Sequence, residues 1–152
     1  IAYIGEDADQ SRLYPFARDR RPWDEAGCLR AIEREDEQAA TTLLRGALAA
    51  GTAPMALRPS FARAALVFFK DLGHSAIYTL KAVDLAARLD EAAAEAVLLA
   101  LLRSLVYASR EDLLPEFRSY GDTLAAWGRP RRRCTRSRPG RPRIRPRRSF
   151  PC

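Results

Sequence analysis

The sequence contains few of the residues that build covalent or metal-bound frameworks. Only three of its 152 residues are cysteines, Cys28, Cys134 and Cys152, and it has one histidine. The cysteines are odd in number and form no Cys-x-x-Cys pair, so we predict neither a disulfide framework nor a zinc site. The longest apolar run, Ala96 to Leu102, is far shorter than the roughly 18 residues of a membrane-spanning helix. We therefore expect a soluble protein.

The start of the chain lacks the features of a targeting segment. It begins at Ile1 rather than methionine, and residues 5–9 are mostly acidic, without the basic and apolar regions of a signal peptide. We expect a cytoplasmic location, and the missing methionine indicates a fragment of a longer chain.

The positive charge is confined to the C-terminal end. The formal net charge is +7, but residues 128–152 contain eleven arginines and no acidic residue. The remaining 15 basic and 19 acidic residues give residues 1–127 a net charge of −4. The basic character therefore describes a tail and not the part of the chain that can fold.

Residues 24–127 are predicted to form an all-α bundle of about six short helices packed as antiparallel hairpins, after an irregular, aromatic lead-in at 1–23. No alternating strand pattern of useful length is present, and apolar residues recur at three- and four-residue steps. The predicted helices are 24–34, 37–50, one that begins near Pro54 and Pro59, 75–89, 91–108 and 115–127. Their predicted N-caps include Asp24, Asp36, Asp90 and Asp112.

The apolar positions also predict which helix faces are buried. The helix from Glu91 to about Ala108 has the clearest pattern and is predicted to be the central core helix. The predicted inward residues of that helix are Val97, Leu98, Leu101, Leu102, Leu105 and Val106. For the other helices they are Leu43, Leu44, Ala47 and Leu48; Phe61, Ala65, Phe68 and Phe69; Ile77, Leu80, Val83 and Ala87; and Phe117, Tyr120, Leu124 and Trp127.

The tail at 128–152 has five prolines and only two large apolar residues, Ile144 and Phe150. Ordering each residue costs about 1–2 kcal/mol, so we predict that the tail is disordered by itself. Three interpretations stay open: an arginine-rich arm that binds nucleic acid non-specifically, a spacer, and out-of-frame translation of a GC-rich gene. The abrupt change of composition after Trp127 favours the third.

The candidate catalytic residues are Asp71, His74, Tyr78 and Lys81. Spacings of three and four place the last three on one helical stripe, which brings an imidazole, a phenol and an ammonium within mutual reach. Such a group can orient a polar substrate or move protons near neutral pH. The alternative is structural, with the histidine as a packing residue beside the tyrosine and Lys81 as a solvated edge.

A second candidate group is the acidic corner formed by Glu111, Asp112 and Glu116. With His74 these carboxylates could ligate a metal, as carboxylates do in some helical bundles. However, the chain has one histidine and no Glu-x-x-His pair, and helix capping explains Glu111 and Asp112 without a metal. We therefore predict no metal ligands.

Two segments carry a family resemblance: Asp71-Leu-Gly-His-Ser-Ala-Ile-Tyr-Thr-Leu-Lys-Ala and Ser104-Leu-Val-Tyr-Ala-Ser-Arg-Glu-Asp-Leu-Leu-Pro. Through them residues 24–127 resemble the questin oxidase-like helical proteins and helical segments attached to Rieske-type ferredoxin domains. The resemblance implies an all-α fold and, for the questin oxidase branch, NADPH-dependent oxygen insertion into an aromatic polyketide. The chain departs from the pattern in having a single histidine and no Rieske Cys-x-His pair.

Three functions are thus compared. The first is a helical domain of an oxidoreductase, whose pocket includes His74 and Tyr78 and accepts an apolar or aromatic small molecule. The second is a non-catalytic scaffold that binds a protein partner through exposed Ala/Leu faces. The third, nucleic-acid binding, depends on the tail alone.

Overall fold

The structure, a computed structural model, describes residues 15–127. It is an all-α bundle, as predicted, with six helices in this part of the chain. They are α1 (Glu25–Glu33), α2 (Glu37–Ala49), α3 (Pro54–Val67), α4 (His74–Ala86), α5 (Glu91–Tyr107) and α6 (Tyr120–Trp127). Short 3₁₀ turns occupy Asp71–Gly73, Glu111–Leu113 and Pro115–Phe117. The predicted tail at 128–152 lies outside the described residues.

Helix α5 is the centre of the bundle. It packs against each of α1, α2, α3 and α4. Of its predicted inward residues Val97 is half-buried and the other five are buried. Since a buried leucine contributes about 1.5–3 kcal/mol relative to an exposed one, this helix supplies much of the apolar stabilisation. The prediction of a central core helix is confirmed.

Two of the four predicted N-caps are confirmed. The carboxylates of Asp36 and Asp90 accept hydrogen bonds from the backbone N–H groups of Ala39 and Ala93, each at 2.9 Å. Asp24 occupies the N-cap position of α1, but its carboxylate faces Arg30 at 3.4 Å and accepts no cap hydrogen bond. The fourth, Asp112, caps no α-helix and lies inside a 3₁₀ turn. Its carboxylate pairs with a neighbouring arginine instead.

The predicted last helix is shorter than expected, because its first part turns to contact α3. Phe69, just after α3, has a positive φ of 42° and stacks against Tyr120 at a centroid distance of 4.5 Å. The Phe117 ring meets the Phe69 ring edge-on, with the two centroids 5.2 Å apart. The Tyr120 hydroxyl donates a hydrogen bond to the Leu66 carbonyl oxygen. These contacts place Pro115–Phe117 in a separate 3₁₀ turn, so the α-helix begins at Tyr120. Phe117, Tyr120 and Leu124 are half-buried, and the side chain of Trp127 lies outside the described part.

The described part of the lead-in packs onto the bundle. Phe16 and Trp23 are partly buried against the core, and the Arg21 N–H donates to the Thr42 carbonyl at 3.0 Å. The lead-in can lie this close to α2 only because residue 46 is a glycine: a Cβ atom on Gly46 would lie 1.6 Å from the Arg21 carbonyl oxygen. Within residues 15–127, no helix has the length and apolarity needed to cross a membrane.

Candidate functional site

The candidate residues lie where the α3–α4 loop enters α4. His74 is the first residue of α4, and Gly73 before it has a positive φ of 89°. The His74 Nδ1 lies 2.9 Å from the carbonyl oxygen of Asp71, to which it can donate a hydrogen bond. Asp71 therefore acts here through its backbone. The loop fixes the imidazole at the start of the helix.

Tyr78 and Lys81 follow along the same side of α4. The helix is continuous from His74 to Ala86, so spacings of three and four place the three side chains on one face. The His74 and Tyr78 rings have centroids 6.4 Å apart, and all three side chains are exposed. The structure thus brings the predicted group together, but on an open surface.

Two clefts of the described part lie elsewhere. One of about 590 Å³ is lined by the lead-in, the α1–α2 loop and the end of α5, including Arg103 and Tyr107. Another of about 480 Å³ lies at the other end of the bundle, between the ends of α2 and α4 and the starts of α3 and α5. None of Asp71, His74, Tyr78 and Lys81 lines either cleft.

The buried face predicted for α4 is wrong except at Val83. Ile77 is 54% exposed and Leu80 40% exposed, and Ala87 is also exposed. The residues that face the core are small or polar: Ser75, Thr79, Val83 and Ala86. Helix α4 packs against both α3 and α5, and small side chains permit close packing on both neighbours. Its large apolar residues are therefore left outside.

The outer face of α4 combines apolar and cationic residues. Tyr78 is 52% and Leu85 50% exposed, close to the exposure of Ile77. Lys81 and Arg88 are exposed and have no ion pair within residues 15–127, whereas Asp84 lies 3.7 Å from Arg58. We call Ile77, Tyr78, Lys81, Leu85 and Arg88 the α4 outer face. Tyr78 and Lys81 were predicted from the sequence as candidate residues, whereas Leu85 and Arg88 were not.

The acidic corner has structural partners. Arg110 donates two hydrogen bonds to Asp112, at 2.7 and 2.6 Å, and Glu116 is exposed. Glu111 is buried and accepts a hydrogen bond from the Ser109 hydroxyl. No group of three or more potential metal-ligating side chains converges within residues 15–127.

The carboxyl of Glu111 faces the α3–α4 loop. Burial raises its pKa, but the Ser109 hydroxyl and the backbone N–H groups of Leu72, Glu111 and Asp71 lower it more, so the net pKa lies below the ordinary value. Asp71 and Leu72 have positive φ values of 52° and 51°. This backbone conformation is unfavourable for residues with a Cβ, and the Asp71 N–H donates to the Ser109 carbonyl oxygen at 3.3 Å.

Lys70, which was not singled out from the sequence, is a buried charged residue of the α3–α4 loop itself. It is 1% exposed, and its Nζ donates to the Ala108 carbonyl oxygen at 3.2 Å. Ala108 ends α5, so the ammonium also stabilises the negative end of that helix dipole. Burial and the nearby Arg110 lower the pKa of Lys70. A lysine directly after two phenylalanines, Phe68 and Phe69, was the signal available in the sequence.

The chain was also compared with known proteins. No protein-family model matches it, and neither a curated protein nor a solved structure does. Function is therefore inferred from the residues themselves.

Proposed function

We propose that this helical domain is a non-catalytic protein-interaction module that binds a partner through the α4 outer face. The observation that carries the proposal is that Ile77, Tyr78 and Leu85 each leave at least half of their surface in solvent. Large apolar side chains grouped on one helix face are typical of interaction sites. In this proposal the domain works in the cytoplasm.

The surroundings of the His74 group support binding more than chemistry. A catalytic site normally excludes water, which strengthens its electrostatic interactions. His74, Tyr78 and Lys81 are exposed, and neither of the two clefts described above includes them. An open face of this kind suits a macromolecular partner, whose own surface excludes the water on binding.

Site-specific photocrosslinking tests this function. A photoreactive phenylalanine analogue replaces Tyr78 in the full chain in its native cells, and the same analogue at Leu113, which is 70% exposed, is the matched control. We expect one adduct, identified by mass spectrometry, from position 78 and not from position 113. The double substitution Ile77→Ser with Leu85→Ser should remove it. Equal adducts from both positions, or an adduct that survives the double substitution, would refute the proposal.

A second candidate function is the oxidoreductase activity implied by the family resemblance. The specific observation in its favour is the adjacency of the His74 and Tyr78 rings, with Lys81 one turn further along α4. The His74 imidazole can donate a proton to, or accept one from, a substrate held over this face. NADPH as the cofactor is part of the same proposal.

An activity assay separates the two candidates. The full chain is incubated with NADPH, oxygen and an aromatic polyketide, and NADPH consumption and product mass are followed. Under the oxidoreductase proposal His74→Ala abolishes turnover with unchanged helicity by circular dichroism, while Leu113→Ala retains it. Absence of turnover in the unmodified chain counts against this candidate and leaves the interaction proposal standing.

The nucleic-acid hypothesis concerns residues outside the described part and stays a prediction. If the tail binds, deletion of 128–152 should remove nearly all affinity for a labelled duplex, and affinity should fall steeply with salt. Binding that survives the deletion would contradict it.

A further inference from the structure

The α4 outer face has a regular order along the helix. Lys81 and Arg88 are seven residues apart, and so are Tyr78 and Leu85, so each pair repeats after two helical turns. Arg88 lies in the turn that directly continues α4, where its N–H donates to the Leu85 carbonyl at 2.9 Å. Apolar and cationic positions therefore form neighbouring rows. The segment from His74 to Arg88 is about 20 Å long.

Neighbouring rows of apolar and cationic residues are a surface along which a second helix can pack. An amphipathic helix places apolar residues at steps of three, four and seven along one stripe, with polar residues beside it. Laid along α4, such a stripe would cover Tyr78 and Leu85. Because successive residues are about 100° apart around a helix, Lys81 and Arg88 lie between this row and Ile77. The residues beside the stripe would then face these two cations.

The charge of the face selects among possible helices. Lys81 and Arg88 have no ion pair within residues 15–127, and the nearby Asp84 is already paired with Arg58. A partner with glutamate or aspartate beside its apolar stripe would pair with these cations, whereas a basic partner would be repelled.

A second copy of the chain is a poor occupant for the same reason. A two-fold symmetric contact brings one patch against itself, so the unpaired cations of both copies would meet.

The geometry points to an acidic amphipathic helix of a partner protein as the occupant of the α4 outer face. This inference rests on the proposed interaction function and specifies the chemistry of the partner.

Binding of designed peptides to the full chain tests the inference by fluorescence anisotropy. The probe is a labelled peptide of about 18 residues, with leucines on one helical stripe and glutamates beside it. Three comparison peptides carry lysine in place of glutamate, serine in place of leucine, or the probe composition in scrambled order. The scrambled and serine peptides measure attraction to the arginines of 128–152, which needs no apolar stripe.

Matched variants locate the binding. We expect Lys81→Glu with Arg88→Glu to weaken probe binding at least about tenfold, and Ile77→Ser with Leu85→Ser to do so as well. Arg18→Glu with Arg34→Glu, two exposed cations near α1 and α2, changes the net charge equally and should leave probe binding within about twofold. Helicity by circular dichroism controls for unfolding.

The outcomes distinguish the inference from the proposed function. Equal binding of the lysine and glutamate peptides, or equal losses in both charge-reversal variants, refutes the acidic partner. If the position-78 adduct still forms, the interaction function survives with a different partner. Binding to vesicles rich in phosphatidylserine that depends on the same residues and exceeds probe binding would identify a membrane surface instead, and would also overturn the inference.

Discussion

Helices α4 and α5 pack against each other, yet they distribute their apolar residues in opposite ways. Helix α5 turns Leu98, Leu102 and Leu105 inward, and all three are fully buried. Helix α4 turns Thr79 and Ala86 inward and leaves Leu85 half exposed. Both helices are rich in apolar residues, but α5 buries most of its large ones whereas α4 exposes most of its large ones.

The large buried residues of α5 stabilise the fold, whereas the large exposed residues of α4 are available for other roles. The buried leucines of α5 fill the core, so they have no free surface for a partner. The inner face of α4 is small, and its large residues remain outside without burying more than about half of their surface. Substitutions on the two helices should therefore separate effects on stability from effects on binding.

The largest expected effect is on α5. We predict that Leu102→Ala lowers the free energy of unfolding by about 3 kcal/mol, because it removes a fully buried side chain and leaves a cavity. Leu85→Ala on α4 is the matched control and should change it by less than about 0.5 kcal/mol. Urea denaturation followed by circular dichroism measures both. Similar losses from the two substitutions would show that Leu85 is part of the core.

The second prediction enlarges a small inward residue of α4. Ala86 is 1% exposed, so Ala86→Leu should overpack the contacts of α4 and lower the free energy of unfolding by about 2 kcal/mol. The adjacent Ala87 is exposed, and Ala87→Leu should have an effect below about 0.5 kcal/mol. The same denaturation experiment compares them. If Ala86→Leu is tolerated, α4 is not held as closely as its small inner face indicates.

The sequence predicted the fold well wherever local pattern and core packing agree. The paired aliphatic residues of α5 identified the central helix, and Asp36 and Asp90 marked two helix starts. The α4 face was predicted wrongly because periodicity assumes that the largest residues are buried. How closely two helices pack is set by both partners, so the sequence of α4 alone did not reveal it.

The candidate site was predictable to the extent that it depends on helical spacing. His74, Tyr78 and Lys81 share a face because α4 is continuous. The contacts of Lys70 and Glu111 could not be predicted from the sequence. The Lys70 hydrogen bond joins residues 38 positions apart, and Glu111 faces a loop whose backbone has unusual φ values. Local patterns contain no information about such contacts.

The third prediction concerns Thr79, a polar residue on the buried side of α4. The Thr79 hydroxyl is fully buried and has no hydrogen-bond partner within residues 15–127. Thr79→Val keeps the shape and removes the desolvation cost of an unpaired hydroxyl, so the free energy of unfolding should rise by about 1 kcal/mol. Thr123→Val, at an exposed threonine of α6, is the control and should not stabilise the protein. A loss of stability in Thr79→Val would mean that the hydroxyl has a partner.

The smallest expected effect is on the pH dependence of stability, and it comes from Lys70, the buried cation of the α3–α4 loop. Burial and Arg110 lower the pKa of Lys70 below its ordinary value of 10.5. Between the folded and ordinary pKa values the unfolded chain binds more protons, so the Lys70 contribution to stability increases as the pH rises towards 10.5.

Cys28 acts in the opposite sense, and the experiment has to separate the two groups. Burial raises the pKa of Cys28 from 9.0 to about 12, so the unfolded thiol loses its proton first and stability falls as the pH rises above 9. Urea denaturation of the unmodified chain and of Lys70→Met, at about pH 7 and pH 9.5, isolates the lysine because Cys28 contributes equally to both. The unmodified chain should gain stability relative to Lys70→Met at the higher pH. A constant difference between the unmodified chain and Lys70→Met would mean that the Lys70 ammonium is as well solvated in the folded protein as in the unfolded chain, which its position under Ala108 contradicts.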